Sequence, residues 1–288
     1  MIQITDMRVH PGDSAFLIDD GKTAILYDSG FGFTGERLAD RIEKELGERR
    51  LDYIFLTHSH YDHVYGAAYV LEKYPDARVV AGEYAAKIFQ KPGAKATMRD
   101  LDTKMAKSCG ISTYPDLLDR LRVDIPVTDG QEIEAGDMRF LCLHLPGHTK
   151  CSFGFYEMNT GLLLACETLG SYNGEGDVVP ACLVGCEMSV EAIKRIWNMC
   201  VIRILSPHYG VLEGNEVGLF LRRAGESLNE TVNTTVRILR NGGTKEEAAQ
   251  AFKDRYYHGY IPTVYPPDAM KLNTGIMIDL IEREYLSK

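Results

Sequence analysis

Seven consecutive residues constrain this chain more than any other stretch. Thr57-His58-Ser59-His60-Tyr61-Asp62-His63 packs three imidazoles and a carboxylate into six positions, directly after the apolar run Leu51–Leu56. That run reads as a buried strand, so the cluster sits just past a strand's C-terminal end. A loop there can turn the alternate side chains His58 and His60 toward one point. Asp62 and His63 can then face a second point close by. Two metal ions roughly 3.5–4 Å apart fit such an arrangement. Neutral imidazole nitrogens and carboxylate oxygens suit Zn²⁺, and also Fe or Mn. A lone histidine is more often a hydrogen-bonded core residue, but packing alone does not demand four such groups together.

Composition narrows the class. In 288 residues, 45% are apolar and 25% charged, the balance of a globular enzyme rather than of a disordered or membrane-embedded chain. The net charge of −9 argues against a nucleic-acid binder, which needs a basic stripe, and gives no attraction to an anionic membrane. No run reaches the roughly 20 apolar residues that span a bilayer. The opening residues, MIQITDMRVH, lack a basic start followed by an apolar run and read as a first strand, so cytoplasmic residence is expected. Seven cysteines (109, 142, 151, 166, 182, 186 and 200), odd in number and irregularly spaced, are expected to be reduced thiols.

Along the chain, short apolar runs alternate with helical patterns, without a fixed-period repeat. Residues 2–9, 15–19, 23–28 and 51–57 read as strands. Residues 35–46 put Leu38, Ile42 and Leu46 on one helical face, with Gly47 as C-cap. Helices are expected at 64–74 and 83–90, around the short strand RVVAG. The polar stretch 91–122, broken at Lys91-Pro92-Gly93 and Cys109-Gly110, reads as a helical lid insertion. Strands resume at 131–134, 137–143, 152–157, 161–167 and 202–205. Ser189 is expected to cap the helix between the last two. From Gly214 on the character is helical; Thr244 and Glu247 have capping-box spacing, and the aromatic, proline-rich 256–267 reads as a loop. The division expected is a β-rich domain over 1–213, lid at about 91–122, and a helical C-terminal extension over 214–288.

Three further groups fall at strand ends, where α/β proteins place ligands: His148 in L-P-G-H-T, Glu167 closing GLLLACE, and His208 in S-P-H-Y-G. The order strand–Asp, H-x-H-x-D-H, P-G-H-T, acidic residue, His resembles the metallo-β-lactamase superfamily over about residues 1–210. The resemblance implies a four-layer αββα sandwich of the α/β class. It implies that His58, His60 and His148 hold one metal, Asp62, His63 and His208 a second, and that Glu167 bridges them. It also implies that Asp28, in Y-D-S-G, braces the histidine loop rather than binding metal. Two departures stand out. The family usually has Gly-Asp where this chain has Cys166-Glu167, so the bridge is one methylene longer and Cys166 is a rival ligand. Strand alternation sends the two to opposite faces and favours Glu167. Tyr209 follows His208 where the family usually has glycine.

Of the remaining histidines, His144 reads as structural and His258 as a residue of the aromatic loop. Gly30 and Gly32 form no dinucleotide fingerprint, and Cys182-x-x-x-Cys186 is read as incidental. The function expected is hydrolysis of an ester, thioester, lactone, phosphoester or related bond in a small-molecule substrate, by a hydroxide held on two divalent metal ions, Zn²⁺ first, with His58, His60, Asp62 and His63 at the catalytic centre. The rivals are an iron-dependent oxidoreductase on the same fold and a non-catalytic metal-containing binding module. Apolar tail positions Ile276, Leu280 and Ile281 suggest a homodimer; no nucleic acid or membrane partner is expected.

Overall fold

The run that delivers the histidines is a strand with no polar face. In the computed structural model, which describes residues 2–287, Tyr53–Phe55 lies between two parallel neighbours. A strand buried on both faces carries continuous apolar sequence rather than alternation, and its neighbour AILY (Ala24–Tyr27) is buried throughout.

The chain divides into two compact units. The first runs to His144 and includes Phe153–Thr160. Its main sheet has the order β1 Gln3–Asp6, β2 Phe16–Asp19, β3 Ala24–Tyr27, β4 Tyr53–Phe55, β5 Arg78–Gly82 and β6 Ile125–Val127. The first three strands are antiparallel and the rest parallel. Parallel pairing requires crossover segments. They are α1 Gly35–Leu46, then α2 Tyr61–Val64 with α3 Ala67–Lys73, then α4 Glu83–Phe89 with α5 Pro92–Ser108. The expected face of α1 is buried through Leu38, Ile42 and Leu46, and Gly47 closes it at φ 60°. An antiparallel meander follows: β7 Glu132–Ala135, β8 Met138–His144 and β9 Phe153–Glu157. Phe55 packs at 5.1 Å from Phe140 and 4.8 Å from Phe155, ring centroid to centroid. Such pairs add about 0.5–1.5 kcal/mol beyond the area they bury.

The 91–122 stretch is helical only in its first half. Lys91-Pro92-Gly93 does not break a helix; it starts one. Pro92 occupies the first turn of α5, where its missing N–H costs nothing. After Ser108 the chain is irregular but for a 3₁₀ turn at Leu118–Arg120. Helix α5 packs on α2, the turn carrying Asp62 and His63. Phe31, Phe33 and Ala106 form a buried cluster there, edged by Tyr61, Met105, Ile111 and Tyr114. Asp102 of α5 is fully buried and accepts from Gly32 N–H (2.8 Å) and Phe33 N–H (3.2 Å).

The second unit comprises Leu145–Ser152 and the chain from Gly161 on. In it β10 Leu162–Leu164 runs parallel to β13 Arg203–Ser206, which pairs antiparallel with β14 Gly210–Glu213; β11 Ser171–Tyr172 and β12 Val178–Val179 form a small ribbon. The helices are α6 Cys186–Trp197, α7 Asn215–Arg240, α8 Lys245–Tyr256, α9 Ile261–Val264 and α10 Pro267–Tyr285. The capping box of Thr244 and Glu247 opens α8 as expected.

Three local expectations are corrected. Strand β10 stops at Leu164, and Glu167 opens a 3₁₀ turn instead of ending the strand. Helix α6 starts three residues before Ser189. Its first N–H groups, of Cys186 and Glu187, donate to the Glu284 carboxylate of α10 (3.1 and 3.3 Å), a cap supplied from 98 residues away and therefore invisible to local reading. The 256–267 stretch holds the short helix α9. Of the tail's apolar residues, Leu280 and Ile281 are buried, while Ile276 and Leu272 are exposed. Among the described residues no helix is long and apolar enough to cross a membrane.

Burial pushes the Asp102 carboxyl from its ordinary 3.8 up to about 6, against the opposing pull of its hydrogen-bond donors. The folded state therefore holds this proton more tightly than the unfolded one. The contribution of Asp102 to stability is fullest below pH 4 and declines as pH rises through about 6. The stability difference between the parent and Asp102→Asn is expected to shift against the parent between pH 4 and pH 7.5, by up to roughly 3 kcal/mol. Paired thermal melts at the two pH values measure it; a pH-independent difference refutes it.

Candidate metal centre

Strand β4 ends at Phe55, and the chain is held firmly for two residues more. Leu56 N–H donates to Val80 O (2.9 Å), and Thr57 O accepts from Phe153 N–H (2.8 Å). Beneath lies Asp28, fully buried, in the left-handed region at φ 51°. Aspartate is among the few residues that tolerate this region. Its carboxylate accepts from Thr57 N–H (2.9 Å), Thr57 Oγ1 (3.1 Å), Ser14 Oγ (3.0 Å) and His63 Nδ1 (2.7 Å). Because Thr57 Oγ1 gives its hydrogen to Asp28, it acts as acceptor for His58 Nδ1 at 3.0 Å. In both His58 and His63 Nδ1 faces an oxygen, the arrangement that orients an imidazole to ligate metal through its other nitrogen.

His60 is extended, at φ −75° and ψ 145°, and caps α2, whose first turn contains Asp62. Ser29 anchors the far end of the loop, its N–H (2.7 Å) and hydroxyl (2.9 Å) both donating to His63 O. The His58 ring lies 4.6 Å from that of His60 and 4.2 Å from that of His63. Within this unit the ligand atoms of His58 and His60, of His58 and His63, and of Asp62 and His63 fall within 4.8 Å of one another. Three imidazoles and a carboxylate so close are well suited to share a cation. Burial, with the charges of Asp62 and Asp102 behind it, pushes the Tyr61 phenol well above its usual range, so it stays neutral.

The second unit repeats the device. His148 Nδ1 donates to Ala181 O at 2.7 Å, and its backbone N–H to Thr168 Oγ1 at 3.3 Å. Thr168 in turn donates to Leu145 O at 2.6 Å. Gly147 stands at φ 146°, and a Cβ there would run into Ser189 Oγ, so only glycine fits. Its carbonyl accepts from Leu183 N–H and Val184 N–H, both at 3.0 Å, which ties the 181–185 segment to the residue before His148. Glu167 and His208 are brought together, Nε2 to Oε1 at 2.9 Å, both buried. His208 also has a left-handed backbone, at φ 62°. Among the described residues Asp28 and His208 are the two non-glycine positions with positive φ, and strain of this kind gathers at functional sites.

Each of the seven residues singled out from the sequence offers a ligand atom. The donor set fits divalent metal: imidazoles, three of them (His58, His63 and His148) with Nδ1 engaged by oxygen, and carboxylates beside them. The other three histidines are placed elsewhere. His10 accepts from Gly12 N–H (3.0 Å) and lies edge-on to Phe31; His144 packs on Phe153; His258 pairs with Glu175 at 3.0 Å. Cys166, Cys182 and Cys186 are buried, and none of the seven cysteines is in a disulfide. Sequence reasoning missed Thr57, Thr168 and Ala181. Ala181 acts through its carbonyl, which no side-chain pattern announces; Thr57, next to the first histidine, was findable.

Asp28→Asn keeps the backbone preference but turns a donor toward one of the four groups Asp28 receives. Affinity for Zn²⁺ is expected to fall about 10- to 100-fold, the usual effect of losing a partner behind a ligand. Chelator competition measures it, and an unchanged affinity refutes it.

A family profile described as the metallo-beta-lactamase superfamily matches residues 12–240. "Glyoxylase B2" of Dictyostelium discoideum is 30% identical over 150 residues, 50% of this chain and 47% of that protein. A hydroxyacylglutathione hydrolase of Tolumonas auensis is 28% identical over 171 residues, 59% of this chain and 52% of that protein. The chain thus spans about half the length of the curated relatives it matches. A solved structure of a metallo-beta-lactamase family protein from Thermus thermophilus shares the fold, with a TM-score of 0.60 at 18% identity, covering 99% of this chain and 93% of that one. The motif order, the α/β architecture and the profile match agree, and the chain belongs to the metallo-β-lactamase superfamily.

Proposed function

We propose that this chain is a metal-dependent hydrolase. His58, His60 and His148 would hold one divalent ion and Asp62, His63 and His208 a second, with Glu167 shared. The observation that carries the reading is a contact shared by three histidines: His58, His63 and His148 each present Nδ1 to an oxygen, of Thr57, Asp28 and Ala181. One such contact is ordinary for a core histidine; the same contact behind three of the candidate ligands is the pattern of a metal site. When bound, two such ions supply Lewis acidity and a nucleophilic water at neutral pH. The chain's own residues do the rest. Thr57 and Asp28 hold the imidazoles rigid, so little reorganisation is needed. Asp28 stays behind the ring of His63, with no ligand role. Zn²⁺ is the ion first expected for this mixture of nitrogen and oxygen donors. The relatives support the class: one is named a hydroxyacylglutathione hydrolase, another a glyoxylase.

Protein loaded with Zn²⁺, Mn²⁺ or Fe²⁺ would be assayed on p-nitrophenyl esters, thioesters, lactones and phosphoesters, with oxygen uptake as a parallel channel. The expected result is hydrolysis with about two ions per chain, and about one ion with little turnover in Glu167→Gln. Oxygen consumption without hydrolysis overturns the reading. If Glu167→Gln keeps two tightly held ions while Cys166→Ser loses one, the thiol replaces Glu167 as ligand.

A further inference from the structure

One face of helix α7 has no partner within its own chain. Val217, Phe220 and Leu221 are buried, while Glu216, Gly218 and Arg222 are exposed and Leu219 is half-buried. Two surface grooves, of about 630 and 510 Å³, run along this face between α7 and the end of α6. Trp197 and Arg222 line both. Trp197 is the chain's one tryptophan and stands 54% exposed in the last turn of α6. Tryptophan and arginine are among the residues that most often anchor protein interfaces.

The glycines of this face point the same way. Gly218 and Gly225 lie inside α7, where glycine weakens a helix relative to alanine. Packing within the chain does not ask for them. A Cβ on Gly218 would meet no atom within 4 Å, and one on Gly225 would meet Ile193 at an ordinary 3.8 Å. Neither glycine has a positive φ. What the missing side chains permit is a close approach from outside.

The charges say what approaches. Along the grooves Lys194 holds Glu191 at 2.8 Å, and Arg223 holds Glu226 at 2.6 Å. Glu216 and Arg222 are left over: neither makes a hydrogen bond or an ion pair with any described residue. Each is three residues from Leu219, on opposite sides. On an α-helix that is about 4.5 Å along the axis and about 60° around it, in opposite senses. A two-fold axis through Leu219, perpendicular to the helix, therefore carries Glu216 onto the place of Arg222. The face is complementary in charge to its own copy, as an isologous interface requires. A partner of one sign would answer only one of the two charges.

We propose that this α6–α7 face binds a second copy of the chain, α7 antiparallel to α7 about a two-fold axis at Leu219. Arg222 then stands opposite the partner's Glu216, with Gly218 beside the axis and Trp197 at the edge. Dimerisation here is independent of the hydrolase reading. It uses α7 rather than the exposed Leu272 and Ile276 of α10.

Sedimentation velocity of the full chain, from submicromolar to high micromolar concentration, reads the association. Acrylamide quenching of Trp197 reads its location. The parent is expected to sediment at twice the chain mass, with Trp197 shielded in the dimer and open to quencher in the monomer. Arg222→Glu and Glu216→Arg should each raise the dissociation constant roughly 100-fold, because each sets like charges against one another at two symmetric points. Combining Arg222→Glu with Glu216→Arg should restore the dimer, which a variant that had lost its fold could not do. Gly218→Leu should give a folded monomer, with the parent's circular dichroism. Ile276→Glu should leave the dimer intact. A parent that is monomeric at every concentration overturns the proposal. So does a dimer indifferent to either charge reversal or to Gly218→Leu, or a combined variant that stays monomeric. Equal quenching of Trp197 in monomer and dimer, or dissociation by Ile276→Glu, puts the interface elsewhere and overturns it as well.

Discussion

The buried carboxylate of Asp28 is the point on which the histidine loop depends. A bare carboxylate fully removed from water is costly unless donors surround it. Here Ser14, the backbone and hydroxyl of Thr57, and the ring of His63 do so. One group thereby fixes where β4 ends, orients His63 directly and orients His58 through Thr57. Asp28 has a left-handed backbone, and its carboxylate meets Thr57 just past the end of the next strand. Strain at that residue is offset by four hydrogen bonds.

The second unit reaches the same end differently. His148 is oriented by a backbone carbonyl and steadied by a threonine, with a glycine beside it that admits no side chain. His208 is delivered by a strand into a strained turn and meets Glu167. The candidate ligands therefore rest on strand ends and buried polar partners, while α5 with its aromatic cluster belongs to an intervening segment. That separation is common in superfolds, where ligands persist and substrates change.

The candidate ligands are easier to single out in the sequence than the bounds of the elements that carry them. Histidines and carboxylates at strand ends are legible because few structural demands produce them together. The amphipathic α1 and the capping box of α8 are legible because their signals lie within one or two turns. What stays hidden is non-local. The cap of α6 comes from Glu284, so its start cannot be read from Ser189. β10 ends at Leu164 although Ala165 and Cys166 are apolar and buried; Ala165 N–H makes one last bond to Leu205 O of β13 at 3.0 Å before the chain turns into the 3₁₀ segment at Glu167. Pro92 reads as a breaker but is an initiator, an ambiguity that only the following hydrogen bonds resolve. Leu280 and Ile281 of the tail are buried, while Ile276 of the same helix is exposed, a difference that the sequence does not announce.

The cap of α6 has a consequence for handling the protein. Glu284 lies in the last turn of the last helix, yet it holds the first turn of α6. The residues immediately before α6 clasp the carbonyl of Gly147 and the imidazole of His148. A truncation or bulky tag that unravels the end of α10 would thus be felt at a prospective metal ligand more than a hundred residues earlier in the chain. For a recombinant protein of this sequence, the C-terminal side is the wrong place for an affinity handle when metal content is to be measured.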